Sequence, residues 1–327
     1  MTIRLPQIPV IVLAGITAIF IAGAALAGQT TVCLALQWFP QAQFAGYYTA
    51  LDRGFYAEEG LDAVIALQGP GALTALDSGK AQVATGFLSS AVVHLQKGIP
   101  LVNIAQMIQH SSIMIVARTD AGIRSIRDFD NRKITMWDNE FLVQPLALFR
   151  QLGIRVLRIP MTGSLELFLR NGVPGTMAMW YNEYHTLLSS GLRETDLVPF
   201  FLKDTDFDFP EDGIYCRREF MDANPGVVQG FVRASLRGWQ YAFDHEDEAL
   251  AGVERRMAQK NLPVSRAHQR WMLRRIKDLM APGPGARSMG ILDRDAFFRV
   301  VTVLHQAGVI RTVPEYDSFY RGETHVP

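Results

Sequence analysis

Leu36-Gln37-Trp38-Phe39-Pro40-Gln41-Ala42-Gln43-Phe44-Ala45-Gly46-Tyr47-Tyr48, followed shortly by Gly54-Phe55-Tyr56-Ala57-Glu58-Glu59-Gly60-Leu61-Asp62, decides the fold of this 327-residue chain. An apolar strand over 32–36 runs into an aromatic, polar corner. The spacing that follows predicts a helix over 43–59, stopped by Gly60, and a second strand over 62–67. Working outward, the alternation continues with a helix at 71–78, a strand at 83–85, a helix at 89–97 and a strand at 101–106. Such a β-α-β order implies a mostly parallel sheet with helices on both faces.

A second series of the same grammar follows, with strands expected at 134–137, 156–159, 176–180 and 198–202 and helices at 141–152, 164–171 and 182–190. Beyond Asp212 one more strand, 214–217, precedes a helical tail at 227–243, 248–260, 266–280 and 294–307, with a Pro-Gly loop at 282–285. Asn224-Pro225 reads as the start of the first tail helix. The expectation is an α/β chain of two lobes, each a mostly parallel sheet flanked by helices, with a ligand cleft between them. Taking 113–117 and 214–217 as the crossings, lobe 1 is 29–118 plus 213–327 and lobe 2 is 119–212. Two crossings make a hinge, and a hinge lets a cleft close on a ligand.

Arg4, an apolar run over 8–27 and the exit Ala25-Leu26-Ala27 have the form of a secretory signal over 1–27, which places the mature chain in a periplasm. An uncleaved anchor is the alternative, since the run is long enough to span a bilayer. Lys plus Arg and Asp plus Glu both number 32, so no net field attracts nucleic acid. Cys33 and Cys216 both sit in strand-like runs, as two buried thiols or one bridge. There is no His-Glu-x-x-His, Gly-x-Ser-x-Gly, Walker A or Cys-x-x-Cys pattern, and the seven histidines are scattered. No catalytic residue, cofactor or metal is therefore expected.

The opening stretch resembles the start of NMT1/THI5-like solute-binding proteins, in which a strand, a Trp-x-Pro corner and a helix ending in the Gly54-to-Leu61 pattern form one wall of the cleft. Ile123-Arg124-Ser125-Ile126-Arg127-Asp128-Phe129 and Arg218-Glu219-Phe220 extend the resemblance over nearly the whole mature chain. It implies the type II periplasmic-binding fold, a small-molecule ligand, ABC permease subunits as partners, and a monomer. The His that fungal pyrimidine synthases of this fold carry is replaced by Phe44, so its role does not carry over.

Ligands of open α/β sheets bind where strands end and helices begin. Four such corners are candidates: Trp38 with Gln43 and Tyr47; Ser89 and Ser90; Trp137 and Asn139; and Trp180, Asn182 and Glu183. A Trp or Tyr face stacks on a flat ring, and Gln43 both donates and accepts hydrogen bonds. On position alone, Trp38 and Tyr47 read equally as core aromatics, and Ser89 and Ser90 as helix caps. Trp137 is expected to face Trp38 across the cleft. Glu183 fits an aminopyrimidine, whose amino group and protonated ring nitrogen a carboxylate can accept, and equally fits an acid at a helix start. The resemblance thus leads to a receptor for a thiamine-precursor pyrimidine, hydroxymethyl- or formylamino-substituted. Alkylsulfonate, nitrate or riboflavin receptors are alternatives, and a pyrimidine-synthase-like enzyme or a sensing module are alternatives of another class.

Overall fold

The computed structural model describes residues 29–138, 140–280 and 288–322. The expected signal, Asn139 and the 282–285 loop lie outside the described residues. The strands are β1 (Thr30–Leu36), β2 (Leu61–Gln68), β3 (Val83–Phe87), β4 (Leu101–Gln106), β5 (Ile113–Arg118), β6 (Lys133–Trp137), β7 (Leu157–Met161), β8 (Gly175–Met179), β9 (Leu197–Phe201) and β10 (Asp212–Arg217). They form two five-stranded sheets, ordered β2-β1-β3-β10-β4 and β7-β6-β8-β5-β9. In the first, β10 runs antiparallel to both β3 and β4; in the second, β5 runs antiparallel to both β8 and β9. The remaining strands of each sheet point one way.

The reversed strand of each sheet is the one that arrives from the other lobe. The chain passes between sheets at 107–112, before β5, and at 202–211, before β10. This corrects the expectation that 113–117 and 214–217 are themselves the crossings: both are interior strands, paired on both edges and almost wholly buried. Ile113–Arg118 thus pairs within the second sheet. An apolar run gives the same signal whether it crosses between sheets or fills one, because only its pairing differs.

The helix expected over 43–59 is broken. A 3-10 turn (Ala42–Phe44) leads into Ala45–Asp52, and a shorter helix, Phe55–Glu58, follows Gly54, whose φ of 74° is the left-handed conformation that ends the first segment. Ala45–Asp52 crosses the long tail helix Pro225–Asp244 at very close range. A Cβ on Gly46 would fall 2.2 Å from the Trp239 ring, and one on Gly238 would fall 2.3 Å from Gly46 O. Two glycines therefore let the backbones approach until Trp239 is fully buried. Burying a side chain of that size contributes on the order of 5 kcal/mol as an upper figure. Pro225 opens the helix as expected, but Asn224 turns its amide back to Phe220 O and does not cap it.

Cys33 and Cys216 are both free thiols, on strands separated by β3 in the sheet. The two crossings are laced together. Asp208 Oδ1 accepts from Ser111 N (2.9 Å) and Oδ2 pairs with His110 Nδ1 (2.6 Å). Glu211 accepts from Ser112 N (2.6 Å) and Ser112 Oγ (2.7 Å). Among the described residues, no helix is long and apolar enough to cross a membrane.

Candidate functional site

The two lobes enclose a cleft of about 370 Å³. Lobe 1 supplies Gln37, Trp38 and Gln43 from the end of β1 and the turn after it, Thr85 and Phe87 from β3, and Ser90 and His94 from the following helix. Lobe 2 supplies Trp137 and Phe141 after β6, and Met179, Tyr181, Asn182 and Glu183 after β8. All lie at carboxyl ends of parallel strands, where the free helix starts and unpaired strand ends leave room for a ligand. Among the described lining residues there is no Arg and no Lys.

Of the expected residues, Trp38, Gln43, Ser90, Trp137, Asn182 and Glu183 line the cleft. Trp38 is 44% exposed and its ring meets Phe39 edge-on at 5.4 Å, so it stands at the mouth with a free face. Trp137 meets Phe141 at 6.1 Å, and Phe141 meets Phe87 of the opposite lobe at 4.5 Å. Across the cleft, Phe87 of lobe 1 is thus the ring that meets Phe141 of lobe 2.

Three expected residues lie elsewhere. Tyr47 is 2% exposed and packs edge-on against Trp239 at 5.7 Å, inside the core of lobe 1. Ser89 faces away on its helix, whereas Ser90 and His94, one turn apart, share the cleft face; His94 Nδ1 lies 2.9 Å from Ser90 O. Trp180 points out of the cleft, against Phe201 at 5.4 Å and beneath the Arg275 guanidinium at 4.9 Å. Trp180 opens the turn between β8 and the helix Glu183–Ser189, and that turn sends it outward while Met179 and Tyr181 line the cleft. Tyr181, Phe87, Phe141 and Gln37 are lining residues that sequence reasoning missed; Tyr181 lies in the turn after β8, where no strand period marks it.

Beneath the lining lies Asp212, the first residue of β10 and 4% exposed. Its Oδ1 accepts from Gln37 Nε2 (2.6 Å) and its Oδ2 from Gln43 Nε2 (2.8 Å). Burial pushes its carboxyl up to about 6 against the opposing pull of those two bonds. Burial likewise pushes neighbouring Glu211 up to about 8, with the bonds from Ser112 opposing and Asp212 adding to the rise. Gln41 Nε2 donates to Gln43 Oε1 (2.6 Å), while Gln37 Oε1 is buried without a hydrogen-bond partner.

Glu183 opens the helix Glu183–Ser189. Its Oε2 accepts from Met179 N (2.9 Å) and its Oε1 from Asn182 Nδ2 (2.9 Å). Burial raises its carboxyl above the usual range against those bonds. Its own main-chain N–H is a third donor, and the lone-pair direction left over can still accept from a ligand. Because Asn182 Nδ2 faces a carboxylate, Asn182 Oδ1 is the acceptor for His268 Nε2 at 3.0 Å. His268 then carries its proton on Nε2 and accepts at Nδ1 from His185 Nδ1, 3.0 Å away. A row of hydrogen bonds runs from His185 through His268 and Asn182 to the accepting carboxylate of Glu183.

His268 belongs to the helix Arg266–Met280, which touches both walls. Gln269 Oε1 accepts from Ala42 N of lobe 1 (2.7 Å), and Trp271 Nε1 donates to Trp180 O of lobe 2 (2.9 Å).

Comparison with known proteins agrees with this geometry. Residues 41–249 match the NMT1/THI5 like family. The riboflavin-binding protein RibY of Chloroflexus aurantiacus is 28% identical over 67% of this chain and 64% of its own length. The formylaminopyrimidine-binding protein of Halalkalibacterium halodurans is 24% identical over 72% of this chain and 73% of its own. In fold, the periplasmic aliphatic sulphonate binding protein SsuA of Escherichia coli superposes with a TM-score of 0.72 at 12% identity, covering 91% of this chain and 94% of that one.

Proposed function

The chain belongs to the NMT1/THI5-like family, and from that premise we propose that it is the solute-binding protein of an ABC importer, exported to the periplasm by its N-terminal signal. Its cleft takes a small planar nitrogen heterocycle, a thiamine-precursor pyrimidine with a hydroxymethyl or formylamino substituent. One observation carries this reading: the cleft pairs aromatic faces with acceptors, Glu183 and Gln37 Oε1, and has no Arg or Lys among its described lining residues. Anions need clustered donors or basic groups, whereas a flat ring with amino hydrogens finds both stacking surface and partners here. Closure of the lobes marks the loaded state for the membrane permease, to which the monomer delivers its ligand.

Riboflavin is the second reading, favoured by the RibY likeness. Calorimetric titration with hydroxymethyl- and formylamino-pyrimidine, riboflavin and taurine separates them. Micromolar binding of either pyrimidine is expected. Glu183→Gln should cost that binding about 1.5–3 kcal/mol, the worth of a hydrogen bond to a charged group. Silence with both pyrimidines, or a preference for riboflavin, overturns the choice of ligand.

A further inference from the structure

Asp212 touches no cleft space, yet both of its oxygens are spent on side chains that do. A carboxylate can only accept, so each glutamine must present an amide N–H to it. The orientation of both carboxamides follows without ambiguity. Gln43 then has its Oε1 free for Gln41, which fills it. Gln37 has its Oε1 left over, buried and unpartnered, in a residue that lines the cleft. A buried carbonyl without a donor costs roughly 1–3 kcal/mol, which a ligand N–H at that place recovers and a ligand lone pair does not.

We propose that Asp212 is a positioning residue that sets the hydrogen-bond polarity of the cleft floor, holding Gln37 as an acceptor so that the site selects ring ligands bearing N–H over isosteres bearing a lone pair. The selectivity is written outside the cleft, in a residue no ligand meets. Around Asp212 stand acidic Glu211 and the buried hydroxyls of Tyr47, Tyr181 and Tyr215, all of which feel its charge, and among the described residues the hydrogen bonds to its side chain come from the two glutamines. The inference rests on the heterocycle reading above for its ligands and on the hydrogen bonds of Asp212 for its mechanism.

The test uses two probes of one ring, 4-amino-2-methylpyrimidine and 4-methoxy-2-methylpyrimidine, which exchange an amino donor for an ether oxygen that carries only lone pairs. The wild-type protein is expected to prefer the amino compound by roughly tenfold. Asp212→Asn offers one donor and one acceptor, so one glutamine turns over and the preference falls or inverts. Asp212→Asn with Gln37→Glu moves the charge by one side chain and restores a fixed acceptor, so the preference returns. An Asp212→Asn protein that weakens both probes equally, or keeps the preference, overturns the proposal. A second readout needs no ligand: the side-chain amide resonances of Gln37 and Gln43 should follow one shared titration near pH 6 and lose it in Asp212→Asn. If the two amides titrate apart, the proposal fails even where a probe binds. If they titrate together but neither probe binds, the positioning role stands and the heterocycle reading falls.

Discussion

His268, on a helix packed against the first lobe, donates to Asn182 of the second lobe across 3.0 Å, and Asn182 in turn donates to the cleft carboxylate of Glu183. The contact between the lobes and the orientation of a ligand-facing group are therefore held by one row of hydrogen bonds.

Removing the row's interlobe step should loosen closure. His268→Ala is expected to weaken ligand binding several-fold, mainly through a faster off-rate, because the neutral bond is worth about 0.5–1.5 kcal/mol. Burial holds the His185 imidazole below its ordinary value, and burial together with His185 does the same for His268. Both are thus neutral when folded, and their contribution is present above the ordinary imidazole pKa and lost as pH falls through the folded values. Protonating both would set two N–H groups against each other at 3.0 Å. Stopped-flow dissociation should accelerate on acidification in the wild type and much less in His268→Ala; equal pH profiles would sink the idea.

Trp38 and Tyr47, adjacent in the sequence reading, should separate cleanly by mutation. Trp38→Ala is expected to cost ligand affinity about tenfold with little change in melting temperature, since the ring is half exposed at the cleft mouth. Tyr47→Phe keeps the core ring against Trp239 and should leave affinity within about twofold. Calorimetry on the two variants checks both halves.

The strands and the principal tail helices were legible because apolar runs and 3.6-residue periodicity are local signals. What failed to read was side-chain direction and partnership. Trp180 is aromatic near a strand end like Trp137, but the turn after β8 sends it outward to Phe201. Tyr47 lies one turn past the Trp38 corner, and only the Gly46 and Gly238 contact, formed with the distant tail helix, shows that it belongs to the core. Asp212 is 175 residues from Gln37 and 169 from Gln43 along the chain, so nothing local marks it as their partner. The crossings were misplaced for a related reason, since a buried run does not announce which sheet completes it.

The carboxyl of Glu211, pushed up to about 8 by burial, gives stability an unusual pH slope. Between the ordinary carboxyl range and that value the folded chain holds a proton that the unfolded chain has lost. This contribution is therefore greatest in acid and declines as pH rises toward 8. Glu211→Gln keeps a neutral partner for Ser112 and should flatten the melting temperature between pH 5 and 8.5 by about 2 °C or more relative to wild type. Parallel melting curves across that range would count against it.

Gly238→Ala tests the helix crossing. Its new Cβ would meet Gly46 O at 2.3 Å and Ala50 Cβ at 2.7 Å, and both belong to a packed helix. A loss of about 1–3 kcal/mol in urea unfolding is expected. A Gly226→Ala control, where nothing lies within 4 Å, should change little.

The helix Arg266–Met280 grips Ala42 and Trp180 through their main-chain N–H and C=O, so its hold on both walls is indifferent to what side chains stand at those two places. Residues around the cleft can drift without unfastening the frame. A lineage built this way can exchange one nutrient for another by repainting its walls, keeping the same architecture of capture.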